Sequence, residues 1–287
     1  MDGARQRGHI GRVGFAARLS AGKFAVALEI TPPRKALPSV LVRRARLLGD
    51  AAQAINVIQR PGRQTSLDAS LDLLDAGMQP VWHLVTRGRQ RREIAAELAR
   101  AHDGGVRQVL AIRGDHEGAD SEDTPTLRET IGMAIDCMPG ATIGATLNQY
   151  APERAAVMRN LLPKLKAGAS YVQSQPVFDL DALRPLAEAV REASPETKVV
   201  AMAMPLLTPE QVSRIEERLR LRLPGSFRRR LEQGGEAAAW ETFAETLAAL
   251  ASARFIAGVA IMTFEMDPPA ATGARIVAAL TAAGIGT

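Results

Sequence analysis

The stretch "FAVALEITPPR", Phe24–Arg34, decides the fold. Apolar residues run up to Glu29, Ile30 adds one more, and Thr31-Pro32-Pro33 stops the pattern, as at the end of a buried strand. A carboxylate almost at the end of such a strand is costly. Without a partner it loses several kcal/mol on burial or takes up a proton. Glu29 is therefore marked as an acid that the chain uses.

Working outward, short strand-like runs alternate with amphipathic stretches. The strands are expected at Phe24–Ile30, Ala54–Ile58, Gln79–Val85, Gln108–Arg113, Thr142–Leu147, Tyr171–Gln175, Lys198–Met204 and Ile256–Thr263. Leu67, Leu71 and Leu74 fall on one helical face before Gly77, and Ile94, Leu98 and Ala101 repeat that spacing. Thr208-Pro209-Glu210-Gln211 reads as an N-cap, a first-turn proline and a capping-box Gln. Strands that alternate with helices pair in parallel through crossovers. Eight units in 287 residues predict a (β/α)8 barrel, with the doubly wound open sheet as the alternative. No G-x-G-x-x-G follows the first strand, which weighs against a dinucleotide-binding Rossmann domain. The expected organisation is a leader and short helix over 1–22 and one barrel over 23–287. Extra helical material between strands seven and eight, Leu223 to Ala251, is broken at Pro224-Gly225 and Gly234-Gly235.

Composition narrows the function classes. Hydrophobic residues make up 46% and charged residues 23%, enough for a sizeable core. A single cysteine, Cys137, excludes an intrachain disulfide and suits a reducing cytoplasm. No apolar run approaches the roughly 18–20 residues that span a bilayer. The net charge is +5, with basic clusters at Arg87–Arg92, at Arg218, Arg220 and Arg222, and at Arg228–Arg230. They are scattered, and aromatics are only 4%, so solvated helix faces are favoured over a nucleic-acid surface. Histidines 9, 83, 102 and 116 form no i, i+4 pair, and no Cys-x-x-Cys or G-x-S-x-G is present, so metal and serine-hydrolase readings are weak.

A (β/α)8 barrel works at the carboxyl ends of its strands. Those ends offer Glu29, Ile58 and Gln59, His83, Arg113-Gly114-Asp115, Asn148 and Gln149, Gln173 and Gln175, Met204-Pro205, and Thr263 with Glu265. Plain structural alternatives stand beside them. Glu29 could pair with Arg34, His83 could be a hydrogen-bonded core residue, Asp115 could cap its own turn, and Gln175 could bond inside the barrel.

Six segments in chain order resemble the methylenetetrahydrofolate reductase family: "ALEITPPR", "VWHLVT", "VLAIRGD", "LKAGASYVQSQPVFD", "AMAMPLLTPEQV" and "LPGSFRRRLE". The resemblance runs from Phe15 to the C-terminus. It implies a (β/α)8 barrel that binds FAD and passes hydride from NADH or NADPH to methylenetetrahydrofolate, giving methyltetrahydrofolate. It also implies Glu29 as general acid, Asp115 between flavin and pterin, and Gln175 on the pterin. His83, Arg113, Gly114, Asp115, Lys164 and the Ile58 position would contact the flavin. The expected ligand is a small folate, with no nucleic acid, membrane or metal; a homo-oligomer is compatible with the sequence.

The departures fall on the cofactor side. Ile58 replaces the family's Thr, Leu147 and Ala151 replace a Tyr and a His, Val157 replaces an Asp, and Glu265 stands at an Asn. Ile215 stands where an aromatic commonly stacks at the nicotinamide site. Pro163 is expected to kink or end its helix. Altered FAD contacts, direct transfer from nicotinamide, and a paralogue that runs in another direction or only binds folate all remain open.

Overall fold

The computed structural model describes residues 14–114 and 119–286. The elements alternate as the sequence pattern predicts. The first half holds α1 (Phe15–Ser20), β1 (Ala25–Ile30), α2 (Pro38–Ala45), β2 (Ala54–Val57), α3 (Ser66–Asp75), β3 (Pro80–Val85), α4 (Arg91–Asp103), β4 (Gln108–Ile112) and α5 (Leu127–Cys137). The second half holds β5 (Thr142–Thr146), α6 (Arg154–Lys166), β6 (Tyr171–Pro176), α7 (Leu180–Ala193), β7 (Lys198–Ala203), α8 (Pro209–Leu219), α9 (Gly225–Ser252), β8 (Gly258–Ile261) and α10 (Ala270–Ala282). The eight strands pair in parallel in chain order, and β8 returns to β1 through Ala25↔Gly258 to Leu28↔Ile261. That closure excludes the open doubly wound sheet and makes the fold a (β/α)8 barrel.

Alternation along each strand builds two cores. Outward residues such as Val26, Leu28, Ile55, Val57, Trp82 and Leu84 pack under the helices. Inward residues Ala25, Ala27, Ala54, Val81, Leu110, Tyr171, Val200 and Ala260 fill the lumen, and Phe15 and Leu19 of α1 join them. Phe15 meets Tyr171 edge-on with centroids 5.8 Å apart, so α1 plugs the lower end of the barrel. The lumen residues around Tyr171 are small. A Cβ on Gly144 would lie 2.2 Å from the Tyr171 ring.

The same alternation puts Glu29 inside, two residues above Ala27. The turn that follows is held by arginines, Arg44 Nη1 donating to Thr31 O at 2.8 Å and Arg63 Nη1 to Pro32 O at 3.1 Å. At the start of α8, Thr208 accepts from Gln211 N as expected. The Gln211 side chain, however, accepts from Leu207 N, one residue before the cap. The insert between β7 and β8 is α9, capped at Pro224 and broken at Gly235, whose φ of 57° and ψ of −145° are non-helical. Glu216 fastens α8 to this insert, accepting from Leu223 N at 2.8 Å and from Arg222 and Arg228.

Pro163 does not end its helix. α6 runs on to Lys166, with Ala167 N donating to Pro163 O at 3.0 Å. The carbonyl that proline leaves without a donor belongs to Arg159, an exposed residue, where water can satisfy it. The Leu67–Leu71–Leu74 face is also rotated: Leu67, Ala69 and Leu73 are the fully buried apolar residues of α3, and Leu71 and Leu74 pack at its margin.

Candidate active site

Glu29 lies near the carboxyl end of β1 with its side chain in the lumen, 5% exposed. Its register partner on β2 is Asn56, which also points inward. From across the lumen Gln173 of β6 donates through Nε2 to Glu29 Oε1 at 2.7 Å. Asn56 Nδ2 donates to Gln173 Oε1 at 2.9 Å and lies 3.4 Å from the same Glu29 oxygen. His83 Nε2 stands 3.9 Å from Glu29 Oε1, too far for a hydrogen bond, and has no other partner among the described residues.

Electrostatics follow from this setting. Burial pushes the Glu29 carboxyl up from its ordinary value, and the amides of Gln173 and Asn56 pull it part of the way back. Arg218 and Arg60 act in the same lowering direction from the cavity wall. Burial drives the His83 imidazole down to about 3, so it is neutral at any ordinary pH. The ion pair of Glu29 with Arg34 is not formed; Arg34 is exposed and the carboxylate partners are amides.

Above Glu29 opens a cavity of about 750 Å³. Its floor is Glu29, His83 and Gln173; its walls include Ile58, Leu110 and Met202; arginines 60, 87, 113 and 218 line it as well. Arg113, Gly114 and Gln175 line this cavity too. Gly114, with φ of 88°, packs so close to β3 that a Cβ would lie 2.4 Å from Val85 Cγ1. Gln175 is held through its backbone, its N donating to Gln149 Oε1 at 3.0 Å while Gln149 Nε2 donates to Gln175 O at 2.9 Å. Asp115 lies outside the described residues.

Lys164 is elsewhere, in a second groove of about 750 Å³ between α5 and α6. Arg113 and Thr146 line both spaces, so the groove adjoins the cavity. Lys164 Nζ donates to Thr146 O at 2.9 Å, and burial lowers its pKa to about 8. Within the basic clusters Arg89, Arg91 and Arg230 form surface ion pairs with Glu97, Glu129 and Glu245, and Arg222 and Arg228 pair with the buried Glu216. Arg87 and Arg218 depart from that pattern and line the cavity. Among the described residues no three His, Cys, Asp or Glu side chains gather as metal ligands, and no helix is long and apolar enough to cross a membrane.

The sequence reading missed Asn56 and the role of Gln173. The signal for Asn56 was available: a polar residue between Ile55 and Val57, alternating with Ala54 toward the lumen.

A Caenorhabditis elegans protein named probable methylenetetrahydrofolate reductase (NADPH) is 26% identical over 220 residues, covering 69% of this chain. The chain matches 33% of that relative, about a third of its length. Among solved structures, an uncharacterized Clostridium thermocellum protein that binds two copies of 5-methyl-5,6,7,8-tetrahydrofolic acid superposes with a TM-score of 0.65 at 11% identity. It covers 90% of this chain and 95% of its own. A phosphonopyruvate hydrolase in complex with oxalate gives 0.52 at 12% identity, over 94% and 86%. At these identities both likenesses are of fold alone. The family model for methylenetetrahydrofolate reductase matches residues 15–266, which takes in every element from α1 to β8 and each lumen residue around Glu29, and the chain belongs to that family.

Proposed function

We propose that this chain reduces 5,10-methylenetetrahydrofolate to 5-methyltetrahydrofolate, with NADH or NADPH as hydride source and FAD as carrier. The observation that carries the reading is Glu29: a carboxyl raised by burial, at the floor of a cavity at the carboxyl end of the barrel. Opening the five-membered ring of the substrate requires an acid that still holds its proton near neutral pH. Burial supplies that property to a glutamate. On this reading Glu29 gives its proton to a folate ring nitrogen as the carbon–nitrogen bond opens. Ile58, Leu110 and Met202 limit water around it, Gln175 holds the pterin, and the arginines lining the cavity face the anionic end of the folate. By the family resemblance Asp115 would stand between flavin and pterin.

The residues present fit a flavin dinucleotide on two counts. The adjoining cavity and groove form a long space lined by Arg113, Arg128, Arg159 and Lys164, cations suited to a pyrophosphate. His83 Nε2 is a buried polar atom at the cavity floor with no partner among the described residues. His83, Arg113, Gly114 and Lys164 would hold the group, which when bound relays hydride between nicotinamide and folate. Ile58 and Val157 offer it no hydrogen bond, and this observation favours a second reading in which nicotinamide delivers hydride directly.

An absorption spectrum of the purified protein, followed by NAD(P)H oxidation on addition of methylenetetrahydrofolate, tests both. Flavin bands with folate-dependent oxidation support the first reading, and a colourless protein with the same oxidation supports the second. A protein that oxidises neither nicotinamide under these conditions overturns the reductase reading. Glu29→Gln is expected to keep folate binding and lose about 10²–10⁴-fold in turnover; a near-normal rate removes Glu29 from the chemistry.

A further inference from the structure

We infer that Gln173 is a positioning residue for Glu29. Backed by Asn56, its amide fixes Oε1 as the accepting oxygen of the carboxyl and leaves Oε2 to carry the proton used on the substrate. The inference rests on the reading of Glu29 as general acid.

The geometry is directional. A primary amide donates only from nitrogen and accepts only at oxygen. Asn56 Nδ2 occupies Gln173 Oε1 at 2.9 Å, which turns Gln173 Nε2 onto Glu29 Oε1 at 2.7 Å. Asn56 Nδ2 also approaches Oε1, at 3.4 Å. Placing the acid hydrogen on Oε1 would set it against these N–H groups. The hydrogen therefore sits on Oε2, which receives no hydrogen bond from any described residue, in a side chain that lines the cavity. All three residues are buried, with exposures of 5% for Glu29, 1% for Asn56 and 3% for Gln173, so water competes little for these bonds.

The arrangement serves the reaction in a second way. As the proton leaves Oε2 for the folate nitrogen, which takes the electron pair of the breaking carbon–nitrogen bond, negative charge grows on the carboxyl. The Gln173 and Asn56 donors are already aimed at it, so their bonds strengthen as charge develops. A proton from solvent in the cavity later restores the acid. The other titratable or charged groups facing Glu29 are His83 from β3, Tyr171 from β6, Arg60 after β2 and Arg218 on α8. Buried His83 stays neutral and beyond hydrogen-bond distance, which leaves the amides as the direct contacts.

The test is the pH–rate profile of Gln173→Met, which keeps bulk and removes the donor. The rate needs protonated Glu29, so it falls as pH rises through the Glu29 pKa. The donor favours the carboxylate, and losing it raises that pKa. The expected result is a loss of about 10–100-fold in kcat with KM little changed, and an alkaline limb moved to higher pH. A folded variant whose limb is unmoved, or moves to lower pH, overturns the inference. An infrared readout needs no turnover. The Glu29 carboxylic C=O band, identified by its loss in Glu29→Gln, should shift to higher frequency in Gln173→Met, and an unshifted band also overturns the inference. Should Gln173→Met fail to fold, Asn56→Ala frees the Gln173 amide to rotate and is read by the same limb and band. Full turnover in Glu29→Gln sinks the general-acid reading itself. An inactive Glu29→Gln beside an unaltered Gln173→Met profile sinks only this inference.

Discussion

His83 is the residue whose burial has the clearest consequence for stability. Its Nε2 meets no partner, and burial lowers its pKa from 6.5 to about 3. The folded state then binds fewer protons than the unfolded chain between those values. Its contribution is intact above the unfolded pKa and is lost as pH falls toward the folded one. Between pH 7 and pH 5 this group alone should cost about 2 kcal/mol of unfolding free energy. Denaturant titrations of the parent and of His83→Gln at the two pH values check this: the parent should lose more stability than the variant by that margin. Equal losses would mean that His83 does not stay neutral in the fold. Glu29 acts in the opposite sense. Its raised pKa makes its contribution largest below the unfolded value of 4.5, with loss as pH rises through the folded one. The residue-level reading found these two groups because a polar side chain in an apolar run is visible locally. The pairing of Glu29 with Gln173 was not visible, because Gln173 is 144 positions away and only the barrel's closure brings it near.

At the scale of elements, the strands were legible and their lumen packing was not. Each strand start and end agrees with the apolar runs to within a residue or two, because a buried parallel strand writes itself as such a run. Which residues of a strand face inward depends on register with both neighbours, information spread over the whole chain. The Gly144–Tyr171 pair shows this. β5 carries a glycine beside the large ring of β6, at the paired position Gly144↔Tyr171. A Cβ there would lie between 2.2 and 2.7 Å from three ring atoms. Gly144→Ala should therefore overpack the lumen and cost roughly 1–3 kcal/mol. Tyr171→Leu in the same chain should recover part of it, since the shorter side chain vacates the contested space. Thermal unfolding of the single and double variants measures the coupling. A Gly144→Ala protein as stable as the parent would show that the ring can move aside. Pro163 makes the complementary point. Proline rules out one backbone donor, and whether that breaks a helix depends on where the abandoned carbonyl faces, which the local sequence does not state.

For the whole molecule, closure divides the labour between two ends. The carboxyl end of the strands holds the cavity, with Glu29 at its floor and arginines along its walls. The opposite end is sealed by α1, whose Phe15 and Leu19 are almost fully buried against lumen residues. The packed layer of Tyr171, Val81, Leu110 and Val200 belongs to that same lumen core, which meets the cavity lining at Leu110 and Ile112, so the plug supports the cylinder from the end opposite Glu29. Phe15→Ala should then act on stability alone. Truncating a buried phenylalanine costs about 3–5 kcal/mol through lost transfer energy and an unfilled void. The edge-on contact with Tyr171 disappears with it. Chemical denaturation should register that loss while KM for the folate, measured at a temperature where the variant remains folded, stays within about twofold of the parent, since RT ln 2 is a fraction of a kcal/mol. A KM that shifts in step with stability would mean that the lumen transmits strain from the plug to Glu29, and the two ends would then have to be treated as one coupled unit.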